Sequence, residues 1–488
     1  MRKAKSPLDV YMYLPNDCEK LFGKSKMTMA SDLVSRRIRL SEIKDALLSQ
    51  KTPESVRDFE ALTELLQPTI SEIQIGVGER AVTIGGDDVM FRHTLSFYNK
   101  TPIAVDVWDT MSDAALSERV DKIQSFKKFY VGEFLYLDMI AVRSVSNNPE
   151  TFGKCVAAIL KKSNMPLILC TKNADVMRAG LAAAAGQNPL MYACDMKNRM
   201  EMAKLALEFD VPLVVSANGD LNELKSLAAA LQKAGVTKLV LDPGAGCGNS
   251  EIGQTFLNFI QIRKAALDGD ADLAYPLIAL PIASWRRSAK EIRASAADKS
   301  PMESVLADAG YFETMTATAL TVRYADIMII HGLEPYEVLP LLHVTKMIYT
   351  DPRTPASVEP KMYTIGNPTH ESPVLFTTNF ALTFYTVESD LASSNVDCYL
   401  LSVNTGGLGV EAAVAGGQLT AGVIQAGFEN AAFDFDAMAC KTLILPGLAA
   451  RLQNDIEKEM KVSALVGPMD SGRLVKWLEE NWPPKNKT

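Results

Sequence analysis

Short apolar runs recur along this chain, and a segment of helical period follows most of them. Between residues 61 and 345 there are eight: Ile103–Val107, Leu135–Ile140, Pro166–Cys170, Pro189–Cys194, Pro212–Ser216, Lys238–Asp242, Pro276–Pro281 and Ala325–Ile330. A run of this length bounded by turn residues suits a strand buried on both faces. Intervening segments such as Lys197–Phe209 and Leu221–Ala234 read as helices. Eight strands alternating with helices over roughly 250 residues predict a (β/α)8 TIM barrel; two smaller doubly wound domains are the alternative. Val82–Gly85 and Val89–His93 lie ahead of the first run and predict a hairpin closing the barrel bottom.

The same pattern returns near the C-terminus. Val374–Phe376, Cys398–Val403 and Thr442–Leu445 are apolar, and each stops at a polar or glycine-rich turn that opens a helix. Thr377, Thr378 and Asn379 suit a helix N-cap, with Phe380–Asp390 as the helix. Asn404–Gly409 and Pro446-Gly447 close the other two runs. In a parallel sheet such turns fall on one edge, where ligands bind. Leu448–Met460 reads as an amphipathic helix, Ala464–Val466 as a last strand and Ser471–Asn481 as a closing helix. Pro352, Pro355, Pro360 and Pro368 mark an extended connector over residues 346–371. Ser31–Gln50 predicts a helix within a small, charged N-terminal segment of residues 1–60.

Composition narrows the class. The 488 residues allow two to four domains, and 48% hydrophobic with 22% charged is ordinary for a globular protein. The net charge, 50 − 58 = −8, disfavours nucleic acid and anionic membrane as partners. No apolar run reaches the ~18 residues of a membrane span, and the basic start lacks an apolar signal-peptide core. A cytoplasmic protein is expected. The seven cysteines are scattered without a CxxC pair, so a zinc site has no support.

The TTNFALT run from Thr377, the glycine turn at Asn404–Gly409 and the LPG turn at Leu445–Gly447 carry a family likeness. Tyr349–Pro352, Ile365–Pro368 and Val466–Pro468 add to it. The chain resembles the large (gamma) subunit of the corrinoid iron–sulfur protein of acetyl-CoA decarbonylase/synthase. The resemblance implies an N-terminal iron–sulfur segment (1–60), a TIM barrel (61–345), a linker (346–371) and a Rossmann-like α/β cobamide-binding domain (372–488). It implies a methyl carrier, a corrinoid-dependent methyltransferase component in one-carbon metabolism. Its cobalt accepts a methyl group from a methyl-tetrahydropterin as Co(I) and passes it on. Thr377, Thr378, Asn379, Phe380, Ala381 and Thr383 would line the lower face or tail pocket. Gly406, Gly407, Gly409 and Gly447 would let the backbone close on the ring. Thr350 and Arg353 are weaker candidates in a loop beside it.

The cobamide would be bound base-off, since no histidine here stands in the DxHxxG pattern that supplies a lower ligand. The family's N-terminal [4Fe–4S] cluster needs about four thiolates. Only Cys18 stands in that frame, with Leu21 and Lys26 at the second and third positions, so the cluster is expected to be absent. Expected partners are a small barrel-containing subunit, in a heterodimer, and the methyltransferase and methyl-acceptor enzymes. Two other readings are a carrier for another acceptor, such as a methionine synthase, and a scaffold subunit without catalysis.

Barrel chemistry would sit where strands end: Asp106, Asp109, Thr171, Lys172, Asp195, Asn218, Asp242 and His331. Those residues could hold a pterin ring or cap the following helices, and capping is the expectation. Gly244, Gly246 and Gly248 form a loop that could cradle an anion.

Overall fold

The computed structural model describes residues 6–35, 38, 40–49, 52–90, 99–130, 133–244, 246, 251–286, 302–348 and 356–484. The chain divides into two compact units, Met1–Phe126 with Tyr136–Thr350 and Lys127–Leu135 with Asp351–Thr488.

The first unit is built on strands β1 (Ile73–Ile75), β2 (Val82–Ile84) and β3 (Ile103–Trp108). After β4 (Lys127–Tyr130) and β5 (Glu133–Tyr136), an insert that falls almost wholly in the second unit, come β6 (Met139–Arg143), β7 (Leu167–Cys170), β8 (Leu190–Cys194) and β9 (Leu213–Ser216). β10 (Leu239–Asp242), β11 (Ile278–Ala279) and β12 (Ile327–Ile330) complete it. β3 and β6 to β12 lie in one parallel sheet, ordered β10-β9-β8-β7-β6-β3-β12-β11. A parallel bridge from Leu241 to Leu277 joins its ends, so the strands follow one another around a closed barrel. Each is followed by a helix, from Asp113–Ser125 to Pro335–His343. Ser112, Asn148, Asn173 and Asp220 cap four of them by accepting backbone N–H bonds.

All eight expected strands are present. The second is displaced: Leu135 belongs to β5, while Met139 and Ile140 open β6. The apolar run spans the join of a two-stranded insert, β4 with β5, and the barrel strand. The bottom hairpin also differs. β2 pairs antiparallel with β1, Ile73 opposite Ile84. Ile73, Ile75 and Ile84 pack among inward residues such as Ala104, Ile168 and Val240. Val89 and Met90 form no strand, and 91–93 fall outside the described residues.

The N-terminal helices Pro7–Tyr11, Cys18–Phe22, Lys26–Val34 and Pro53–Leu66 share a core of Val10, Leu14, Met29, Leu33 and Leu62. The single helix expected over Ser31–Gln50 is not formed: a helix capped by Ser25 runs Lys26–Val34, and a 3-10 turn, Leu40–Ile43, and a short helix, Lys44–Leu47, follow it.

In the second unit, β13 (Met362–Ile365), β14 (Val374–Thr378), β15 (Cys398–Val403), β16 (Thr442–Leu445) and β17 (Ser463–Val466) form a sheet ordered β13-β15-β14-β16-β17. β13 is antiparallel and the other four are parallel. β13 lies in the stretch expected to be a bare connector. Phe376, Leu401 and Leu443 face Ala413, Ile424 and Ile456 of the helices after β15 and β16. Leu375, Leu400 and Ile444 face Phe384, Leu391 and Leu478 on the other side. Helices therefore cover both faces. The strand order reverses at β14, the feature that marks ligand crevices in open α/β sheets.

Candidate functional site

The C-terminal ends of β14, β15, β16 and β17 fall on one edge of the second sheet, since Thr378 pairs with Val403 and Leu445 with Val466. Asn379, directly after β14, organises this edge. Its Oδ1 accepts hydrogen bonds from the Thr405 N–H (2.9 Å) and the Gly407 N–H (3.0 Å). The Thr405 hydroxyl lies 3.1 Å from the same oxygen and 2.9 Å from the Leu408 carbonyl. One buried amide thus pins the glycine turn after β15 to the end of β14. The backbone continues the link: Asn379 N–H donates to the Val403 carbonyl (2.8 Å), and Val358 N–H to the Asn379 carbonyl (2.9 Å).

Thr377 and Thr378 are not cap residues. Both belong to β14, are buried, and carry hydroxyl oxygens without a hydrogen-bond partner. The cap is Phe380, with no side-chain bond, and the helix runs Ala381–Ser393. Ser402 is a third buried hydroxyl without a partner, and it pairs in register with Thr377. Ser402 and Thr405 were not singled out from sequence, although a serine inside the apolar run YLLSV is itself a signal. Burying an unpaired hydroxyl costs about 1–3 kcal/mol, and three at one sheet edge are unusual for packing alone.

The glycines divide by role. Gly406 and Gly407 have φ of 68° and 78°, which favours glycine. A side chain at Gly447 would meet backbone atoms of Gly467, Pro468 and Met469 at 2.7–2.9 Å. A glycine is thus required there by the neighbouring turn alone. Gly409 has φ −65°, and a side chain would touch only Phe380 at 3.7 Å and Thr383 at 3.9 Å. Nothing in the fold demands a glycine at 409. Ala381 is buried, and Phe380 and Thr383 are half-buried at the same edge. Thr350 and Arg353 lie outside the described residues.

His370 is the only histidine in the sequence of the second unit, and it precedes β14. It stands at the opposite edge of the sheet, about 16 Å of strand away from Asn379.

At the barrel mouth the strand-end residues are largely engaged. Asp109 accepts from the N–H groups of Val145 and Ser146 and the hydroxyls of Ser144 and Ser146. Burial alone would raise it, but those bonds hold it below the usual carboxylate range. Asp195 receives Lys172 Nζ at 3.1 Å and the N–H of Lys197 at 2.9 Å. The Thr171 hydroxyl accepts from the Asn173 N–H. These residues shape loops and helix starts. Asp242 and His331 instead line a cavity with Arg143 and Tyr192, and Asp106, Arg119 and Glu313 bond to His331 behind that lining; Arg119, Arg143, Tyr192 and Glu313 were not marked in the sequence. Asn218 lines the same cavity. Gly244 has φ 103°, and a side chain there would lie 3.0 Å from Gly219 Cα. Backbone crossing accounts for it without an anion. Gly248 lies outside the described residues.

Cys18 is fully buried in the N-terminal core, its thiol 3.0 Å from the Pro15 carbonyl, and burial raises it above its ordinary range. Lys26 reaches Asn16 Oδ1 at 2.9 Å and sits over the Tyr11 ring.

Comparison with known proteins adds the following. A family model described as CO dehydrogenase/acetyl-CoA synthase delta subunit matches residues 72–478. Acetyl-CoA decarbonylase/synthase complex subunit gamma 1 of Methanosarcina mazei is 48% identical over 485 residues, 99% of this chain and 100% of the relative. The gamma subunit of Archaeoglobus fulgidus is 43% identical over 486 residues, with 99% and 100% covered. Among solved structures, a dihydropteroate synthase from Thermus thermophilus is similar at 17% identity and a TM-score of 0.36. That match covers 55% of this chain and 97% of that one.

Proposed function

The chain belongs to the family of acetyl-CoA decarbonylase/synthase gamma subunits, and from that premise we propose that it is a corrinoid methyl carrier, receiving a methyl group from a methyl-tetrahydropterin and passing it on in acetyl-CoA synthesis or cleavage. A subunit of that complex works with partner subunits. We propose a small barrel-containing subunit, a methyltransferase and the methyl acceptor as those that meet this chain, in the cytoplasm. Among the described residues no helix is long and apolar enough to cross a membrane.

The observation that carries the reading is the set of three partnerless hydroxyls, Thr377, Thr378 and Ser402, at the sheet edge where Asn379 holds a glycine turn. Thr377 and Ser402, paired across two strands on one face, fit a polar ligand tail at the strand ends, and Thr378 faces the other side of the sheet. Phe380, Ala381 and Thr383 would form the wall of that pocket. Gly406, Gly407, Gly409 and Gly447 would let backbone approach a flat ring, and Thr350 and Arg353 complete the proposed set. When bound, the corrin cobalt supplies the centre that accepts and gives up the methyl group, while these residues bury, orient and exclude water. No protein histidine serves as its lower ligand in this reading. The N-terminal cluster is proposed to be lost, a reading supported by the burial of Cys18 as a small apolar side chain and by Lys26 being engaged with Asn16 and Tyr11.

The test uses Thr377→Val and Ser402→Ala. Each removes an unsatisfied hydroxyl, so folding stability should hold or rise by about 1 kcal/mol. Cobalamin retention by the full chain should fall at least about tenfold, the loss of one or two hydrogen bonds. Unchanged retention in both variants would contradict the pocket, and no retention by the unmodified chain would contradict the function.

A further inference from the structure

The chain passes between the two units three times, at Phe126–Lys127, Leu135–Tyr136 and Thr350–Asp351. Two arms therefore join the second unit to the barrel unit: the β4–β5 insert, and the connector that begins after Thr350. Domains that follow one another in sequence need only one connection. The insert is an arm that the folding of neither unit demands.

The roots of both arms meet inside the barrel unit. The insert returns to that unit at Tyr136, and Asp138 follows it. Asp138 Oδ2 accepts from the Ile103 N–H (2.9 Å), and the Asp138 N–H donates to the Ile103 carbonyl (3.2 Å). Both bonds fix Asp138 to the first residue of β3. Its Oδ1 accepts from Lys346 Nζ, on the last turn described before the connector. Both side chains are buried, Asp138 with 6% exposed and Lys346 with 10%. The Lys346 ammonium also lies 5.3 Å from the centre of the Tyr136 ring. Lys346 thus grips the root of the insert twice, through a carboxylate and through an aromatic face.

Two features set this clasp apart from ordinary packing. An ion pair taken out of water adds little stability over well-packed apolar residues of the same volume. Its distinctive effect here is to hold one geometry between two segments far apart in sequence. Lys346 also sits in a π-helical turn, Val344–Ile348, that follows the helix Pro335–His343. Such turns are rare and concentrate at functional positions. The far end of the insert is anchored as well. Phe129 lies edge-on to Tyr385 of the helix Ala381–Ser393 at 5.4 Å, and both rings belong to the second unit.

We propose that the insert is a second tether of the C-terminal unit, pinned to the root of the connector by Asp138 and Lys346, so that this unit turns about one clasped root and does not hang from a single linker. The pin holds one end of the arm and Phe129 the other. They act in series, and loss of either releases the same arm. The inference goes beyond the methyl-carrier reading and does not depend on what the second unit binds.

The test is double electron–electron resonance on the full chain without added cofactor. Spin labels are carried by non-canonical amino acids in place of Gln232 in the barrel unit and Ala426 in the second, both exposed, so the native cysteines stay. The unmodified chain should give one narrow distance distribution. Asp138→Asn combined with Lys346→Met leaves no buried charge unpaired, and the asparagine can still accept from Ile103. Its denaturation midpoint should hold while the distribution broadens. Phe129→Ala, far from the pin in the insert, should broaden the distribution to a similar width. All three substitutions together should broaden it no further, since the two contacts act on one arm. A purely structural role for the pair would lower the midpoint and leave the distribution narrow. A broad distribution in the unmodified chain, a narrow one in the Asp138→Asn, Lys346→Met chain, or additive broadening in the triple variant overturns the proposal. The labels report without cobalamin, so this result and cobalamin retention succeed or fail separately.

Discussion

Single residues separate what the fold requires from what a ligand would require. Gly447→Ala places a methyl group within 2.7–2.9 Å of the backbone of Gly467–Met469. That clash should destabilise the second unit by about 1–3 kcal/mol, read as a lower denaturation midpoint. Gly409→Ala meets only ordinary contacts at 3.7 and 3.9 Å and keeps φ −65°. Its stability should change by less than about 0.5 kcal/mol, so a fall in cobalamin retention there would report the approach of a ring. Sequence alone could not make this distinction, because both glycines stand in similar turns and only the third dimension puts backbone beside one of them. Asn379 was visible as a polar residue after an apolar run. Its role was not, since a cap of the next helix and a clamp on a turn 26 residues away leave the same local pattern.

Glu313 offers a pH signature at the same scale. Burial pushes it from 4.5 up to about 7, against hydrogen bonds from the Gly332 and His331 N–H groups. Between those values the folded chain holds a proton that the unfolded chain has released, so stability falls as pH rises through that window. Glu313→Gln should flatten the fall, by at most about 3 kcal/mol. Urea denaturation of both proteins from pH 4.5 to 8 checks it, and parallel curves would place the charge elsewhere.

At the scale of elements, the barrel was the most legible part of the chain. Strands buried on both faces read as unbroken apolar runs, and short runs such as Leu213–Ser216 between long helices leave few other folds. The misplaced second strand shows where this signal fails. β5 ends at Tyr136 and β6 starts at Met139, so apolar residues of two different sheets adjoin in sequence. The insert is also unlike a barrel strand in surface: all of β4 is exposed. Phe129 on β4 rests edge-on against Phe134 (5.3 Å) and against Tyr385 (5.4 Å) of the helix Ala381–Ser393. The second of these contacts ties the insert to a helix of the second unit, the unit it belongs to. A double-mutant cycle between Phe129→Ala and Tyr385→Ala should give a coupling of about 0.5–1.5 kcal/mol. Strict additivity would mean that the rings do not anchor the insert.

On the scale of the whole molecule, the net charge disfavoured nucleic-acid and anionic-membrane partners but could not assign chemistry. The family resemblance supplied the domain order, and the structure adds two local arrangements to it. One is a sheet edge with unsatisfied hydroxyls; the other is a barrel mouth with an oriented imidazole. The barrel residues that matter, Arg119, Tyr192 and Glu313, come from a helix, a strand interior and a second helix. No local pattern links them, since closure of the barrel alone brings residues 106, 119, 313 and 331 together.

The central claim is a cobamide held at the C-terminal sheet edge without a histidine beneath the metal. Electron paramagnetic resonance of the full chain, reconstituted with cobalamin and poised as Co(II), tests it most directly. His370 precedes β14 and the glycine turns follow the strands, so the spectrum should show bound Co(II) without nitrogen superhyperfine splitting from an axial base. Splitting from an axial nitrogen, or no cobalt retained by the chain, would contradict the account.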